Sequence, residues 1–335
     1  MRTQTAPRRA PSDAEYATAA AQLDFLSTLE QRAGSEGELE QQILTCPPCG
    51  AQLVVDPSVL PSHCAFCTAP LASVTPQTLR RIRPRGLVPF GIEAEDARAR
   101  FRAWMEGHRF APDAVKRTVT AVDSVRGVYV PCWTFNTDTE SDYTGQRGDS
   151  RPVTVVQRQA DGREAQVTCV VTDWQSASGR VRVPFVDEAV LASHTVPRHL
   201  EAALSGWDIA HLVPLSETDL AGCTVEAYQV ALEPAFDKAR QRFEQAIERA
   251  VRHDIGGDEQ RVYCVDTRYD RITFRHVLVP VWMASYRVGR KRYAVVVNGQ
   301  TGVVMGDRPW SFWKIAGAVL AVAAPAAILW AVTVG

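Results

Sequence analysis

Cys46-Pro47-Pro48-Cys49-Gly50-Ala51-Gln52-Leu53-Val54-Val55, closed further on by Cys64-Ala65-Phe66-Cys67, gathers four of the chain's eight cysteines into one short stretch. Each CxxC turn aims two thiolates at one point, and two such turns complete a tetrahedral four-sulfur shell. Soft thiolates in that geometry favour zinc over magnesium or calcium. Four protein ligands leave no open position, so Cys46, Cys49, Cys64 and Cys67 read as a structural zinc site. Residues 51–55 read as a ribbon strand. A unit of about 30 residues has too little core to fold alone, and zinc binding of order 10 kcal/mol supplies the difference. A redox CxxC would need a thioredoxin-like context, which is missing, and iron–sulfur clusters use other spacings. His63 stands beside Cys64 and reads as a bystander.

Around this ribbon the chain runs to 335 residues, 46% apolar and 22% charged, the make-up of a mostly globular protein. Lysine and arginine total 37 against 38 acidic residues, so charge alone does not drive nucleic-acid binding. Cys132, Cys169, Cys223 and Cys264 are scattered singly. A long chain with paired knuckles reads as a metal protein of a reducing compartment and not as a disulfide scaffold. Residues 1–21 carry no apolar core of a signal peptide.

The other end is Ile-Ala-Gly-Ala-Val-Leu-Ala-Val-Ala-Ala-Pro-Ala-Ala-Ile-Leu-Trp-Ala-Val-Thr-Val over residues 315–334, without a charge. As a helix it spans about 30 Å, the thickness of a bilayer's hydrocarbon core. Trp310, Trp313 and Trp330 sit where interfacial aromatics belong, and Arg308 and Lys314 lie on one side only. The expectation is a single-pass tail anchor in the cell inner membrane, with residues 1–314 in the cytoplasm.

The expected fold class is α+β. Residues 1–43 read as an N-terminal helical segment, with an apolar stripe over 13–33 and a second short helix over 38–44. The ribbon occupies 44–73. Residues 74–86 read as a stiff basic linker, from Arg80, Arg81, Arg83 and Arg85 between Pro76 and Pro84. Residues 87–309 alternate strands and amphipathic helices, the clearest helix covering 234–251. Asp161-Gly162 and Asn298-Gly299 mark tight hairpin turns. A weak internal duplication runs through this domain: Leu87-Val88-Pro89, a helix and Val130-Pro131-Cys132-Trp133 are echoed by Leu212-Val213-Pro214, a helix and Val279-Pro280-Val281-Trp282. Cys132 and Cys264 fall in apolar runs and read as buried small hydrophobes.

No P-loop, HExxH, GxSxG or GxGxxG motif occurs, so no catalytic residue and no nucleotide site is assigned. Asp208 and the turn Asn298-Gly299-Gln300-Thr301-Gly302 read as solvated loops.

Cys46-Pro47-Pro48-Cys49-Gly50, Leu87-Val88-Pro89-Phe90, Val279-Pro280-Val281-Trp282, Val295-Val296-Val297-Asn298-Gly299-Gln300-Thr301-Gly302 and Gly306-Asp307-Arg308-Pro309-Trp310-Ser311 occur in that order. Over roughly residues 44–314 the chain resembles a family of bacterial TFIIB-type zinc-ribbon membrane proteins. Members are often labelled primosomal protein N′, replication factor Y or superfamily II helicase, although the helicase motifs are missing here. The second knuckle departs from the pattern, because Cys64-Ala65-Phe66-Cys67-Thr68 lacks the usual proline and glycine. The resemblance implies a membrane-stress assembly with phage-shock-type coat proteins and flotillin-like (SPFH) proteins as partners. The expected function is a membrane-anchored, non-enzymatic zinc-ribbon adaptor on the cytoplasmic face. The alternative is a nucleic-acid-binding ribbon protein related to replication restart, with the arginines of 80–85 on phosphates.

Overall fold

The structure is a computed structural model that describes residues 21–30, 38–56, 58–107, 125–158, 164–196, 206–215, 220, 223–288 and 291–306. Among these, twelve strands form one continuous sheet: β1 (Leu23–Asp24), β2 (Glu38–Thr45), β3 (Gln52–Val54), β4 (Gln77–Ile82), β5 (Gly86–Leu87), β6 (Arg126–Arg158), β7 (Glu164–Leu191), β8 (Val213–Pro214), β9 (Thr224–Glu226), β10 (Glu259–Val288), β11 (Lys291–Asn298) and β12 (Val304–Gly306). The helices are α1 (Phe25–Glu30), α2 (Ala94–Glu106) and α3 (Leu232–Ile255).

Three very long strands make the frame. β6 pairs antiparallel with β7 on one side and β10 on the other. At about 3.3 Å per residue, the 33 residues of β6 reach about 110 Å. The shorter strands gather at one end, the base. There β9 pairs with the start of β6, while β1, β5 and β11 share the outer edge of β10.

The side-chain pattern of β6 explains the layering. Residues 128–135 are buried on both faces. Val128, Val130 and Cys132 enter one core with Val277, Val279 and Val281, while Trp133 and Phe135 enter a second with Phe274. α3 covers this second face. Its Phe236, Ala239, Phe243, Ile247 and Val251 recur at helical spacing and are buried. The first face is covered by the cysteine ribbon. Farther out, that same face carries an exposed ionic ladder in which Arg180 and Arg182 straddle Glu140 and Asp142.

The repeated segments meet each other. Leu87 pairs with Val213 and Gly86 with Pro214, while Val130 pairs with Val279 and Tyr129 with Pro280. Each long strand then turns back through a hairpin, β6 into β7 and β10 into β11. The hairpin signal at 298–299 falls at a further return, β11 into β12, with Val297 opposite Val304, while the signal at 161–162 lies outside the described residues, between Arg158 and its partner Glu164.

Several expectations are corrected. The α+β class with a terminal membrane helix gives way to a sheet-dominated fold with three helices among the described residues. No helix among them is long and apolar enough to cross a membrane, and the span expected over 315–334 lies outside the described residues. The single-pass inner-membrane placement drawn from that span is corrected with it. Residues 38–44 form strand and not helix, because Ile43 and Leu44 are buried only once β2 is flanked by β3 and β4. The basic stretch 77–82 is β4, an edge strand paired with β2, and Pro76 and Pro84 bracket it from outside. The N-terminal helix is limited to α1 among the described residues; 1–20 and 31–37 lie outside them. Cys132 is buried, but Cys264 is exposed.

Candidate metal centre

Both knuckles are built by the same backbone bonds. In the first, the Gly50 amide donates to the Cys46 carbonyl and the Cys46 amide to Ala51 (both 2.8 Å). In the second, Thr68 donates to Cys64 and Cys64 to Ala69 (both 2.9 Å). Each turn closes through a left-handed residue, Gly50 at φ 75° and Thr68 at φ 59°. Thr68 therefore does without glycine what Gly50 does with it, and the departure in the second knuckle leaves the turn intact.

The turns bring the sulfurs of Cys46, Cys49, Cys64 and Cys67 within 4.8 Å of one another. Cys46 Sγ lies 3.5 Å from Cys67 Sγ, and Cys49 Sγ lies 3.7 Å from Cys64 Sγ. Four sulfurs held tetrahedrally about 2.3 Å from one ion stand about 3.8 Å apart, so the spacing fits a metal and is far too long for disulfides. The four cysteines can bind a metal ion. His63 is exposed beside Ser62 and is not part of the group.

Close packing splits the acidities of Cys46, Cys49 and Cys64. A hydrogen bond from Cys49 pulls Cys64 down to about 5 and holds Cys49 well above the ordinary thiol range. Burial lifts Cys46 to about 11. A cation draws the remaining protons off, because only thiolates ligate.

The centre is embedded in the protein and does not hang from it. Cys46, Cys64, Cys67, Phe66 and Leu71 share one core with Val128, Val130, Val277 and Val281. Cys49 alone is partly exposed. β3 joins the main sheet by pairing with β9, Leu53 opposite Glu226. Arg126 donates to the Cys64 carbonyl (3.2 Å), and Gln229 donates to the Gly50 carbonyl (2.7 Å). Glu226 is almost fully buried behind the ribbon. Its Oε1 accepts from Ser193 (3.0 Å) and Thr195 (2.5 Å), while Oε2 has no partner among the described residues. Burial raises this carboxyl to about 7, and negative charge on Cys64 adds to the rise. Motif reading missed Glu226, since a lone glutamate in Thr-Val-Glu carries no pattern.

Residues 87–91, 279–282 and 295–302 converge at a second place. Asn298 Oδ1 accepts from the amides of Gln300 and Thr301, which shapes the turn. Gly299 donates to Pro280, and Gly91 donates to Gly299. The Phe90 ring lies 4.6 Å from Trp282 and 5.2 Å from Tyr129. A side chain at residue 299 would strike Phe90 at 2.8 Å. This knot ties the segment around Phe90 to β10 and to the turn after β11. Asp208 lies at its rim, exposed, with its amide donating to Gln300 and its carboxylate bonded to His211 (2.6 Å).

No family model matches the chain, and no solved structure matches it. A protein of Bacillus subtilis (strain 168), described as uncharacterized protein YdjG, is 25% identical over 236 residues. The alignment takes in 70% of this chain and 66% of that protein, just under two thirds of its length.

Proposed function

We propose that the chain is a zinc-ribbon adaptor: a metal-locked sheet that presents docking surfaces to other proteins. The observation that carries this reading is the closed set of four sulfurs inside a core shared with the main sheet. Four thiolates saturate a tetrahedral zinc ion, so the metal holds structure together and is not offered to a substrate. Zinc is the ion of choice because the ligands are all soft and the turns impose tetrahedral spacing. The partners implied by the resemblance are phage-shock-type coat proteins and flotillin-like proteins.

The nucleic-acid alternative is weaker. Arg80 pairs with Glu40, and Arg81 lies over the Tyr228 ring and donates to Gln52. Two of the four arginines offered for phosphate are thus engaged within the protein.

Two measurements test the proposal. Elemental analysis of purified protein is expected to find one zinc per chain, lost in Cys46→Ser and Cys64→Ser variants. Affinity capture with the full chain is expected to enrich specific proteins over a Cys64→Ser control; equal recovery from both ends the adaptor reading.

A further inference from the structure

β7 is hydrogen-bonded along one side only: among the described residues its sole partner is β6. Exposed sheet edges are normally blunted by charges, prolines or bulges. On β7 those devices cluster at the base, with Pro184, the irregular pairing beyond it and Asp187 at positive φ. From 165 to 179 the edge carries one charged residue, Asp173, already paired with Arg151. The outer part of this hairpin is also unsupported. β10 begins opposite Gly148, so residues 149–158 and 164–173 form a two-stranded ladder, a form that is marginal alone in water. Yet Val156 and Val170 are 61% and 71% exposed there.

We propose that the edge of β7 is where two copies of this chain join, antiparallel over residues 164–180, with Thr172 on the two-fold axis. The sequence of β7 selects that register. With Thr172 opposite itself, Glu164 faces Arg180 of the second copy, joining the guanidinium that already bridges Glu140 and Asp142 of its own chain, and symmetry makes the contact twice. Val170 faces Trp174, whose ring is held under Arg261, and Val167 faces Ala177. Moving the axis to residue 173 sets Asp173 against itself, and moving it to 171 sets Glu164 against Ser178. Two-fold symmetry keeps odd residues beside odd, so both α3 helices stay on one face of a joined sheet. The joint adds about seventeen backbone hydrogen bonds, one per opposed pair. It stands independently of the metal reading.

Directly opposed residues in such a pair lie about 4.5–5.5 Å apart at Cα, within disulfide reach. In the full chain, with the exposed Cys169 and Cys264 changed to serine, Thr172→Cys is expected to give a covalent dimer on mild oxidation. Thr168→Cys, opposite Ser176, is expected to cross-link at least tenfold more slowly. Sedimentation of uncross-linked chains supplies a second readout. Glu164→Arg and Arg180→Glu are each expected to weaken the dimer about tenfold, and the double reversal to restore it. A monomeric full chain, equal cross-linking at 168 and 172, or a double reversal no tighter than the singles would each overturn the proposal.

Discussion

His276 shows how one side chain sets an acid limit on stability. It is fully buried between Trp133 and Tyr228, and its Nδ1–H donates to the Ile82 carbonyl at 2.8 Å. Nε2 has no partner among the described residues. Burial pushes its pKa down from 6.5 to about 4 against the smaller raising effect of that bond. The folded state thus prefers the neutral ring. Between pH 6.5 and 4 the unfolded chain binds the extra proton, so stability is full above pH 6.5 and falls as pH drops through 4. The loss amounts to about 3 kcal/mol. Urea midpoints of the metal-loaded protein at pH 7 and pH 4.5 check this: His276→Leu is expected to be weaker at pH 7 but to fall less between the two. Thr68 offers the opposite kind of change. A β-branched residue at φ 59° is strained by roughly 1 kcal/mol. Thr68→Gly relieves that strain, offset in part by unfolded-chain entropy. A small rise in Tm is expected, read by calorimetry of the metal-loaded protein, whereas Gly50→Thr is expected to lower it.

At the scale of elements, the β6–β10 pairing depends on close backbone approach at one bulge. The register shifts between Val262 and Cys264, opposite Gly145 and Thr144. A methyl group on residue 145 would lie 2.3 Å from the Arg261 carbonyl and 3.1 Å from Ile255. Gly145→Ala therefore forces strand or helix to move, and is expected to lower stability by about 1–3 kcal/mol in urea unfolding. Amide exchange should localise the change to 259–265 and the end of α3. The elements were unequally legible in sequence. α3 was plain, because eight buried positions repeat at three and four. The two hairpins were plain from Asp-Gly and Asn-Gly between β-branched runs. β2 and β4 were not: each is an irregular mix of charged and apolar residues whose partner lies far off in sequence, and only pairing shows which side is covered.

For the whole molecule, the metal centre and the sheet are one folding unit. The thiols share a core with Val128, Val130 and Val277, so on the proposed reading removal of a bound ion is expected to open the middle of the protein. Chelation is expected to lower Tm by well over 10 °C and to deprotect β9 and the first residues of β6. The outer part of the β6–β7 hairpin, which shares no side chains with that core, should keep its exchange rates. If only residues 44–73 lose protection, the ribbon is a separable module and the shared core is not cooperative.

By itself the sequence determined the cluster of four cysteines that can bind a metal ion, its spacing and the hairpin returns, because these rest on contacts between residues close along the chain. The similar segments at 87–89 and 212–214, and at 130–133 and 279–282, were visible in sequence, though not that they pair with each other. Only the tertiary structure decided that the ribbon is fused to the main sheet through β3 and β9, that Glu226 is buried behind it, and that β7 has an open edge among the described residues. The fusion depends on β3 and β9, strand partners separated by well over a hundred residues, and a backbone hydrogen bond leaves no mark on the identity of the side chain that makes it.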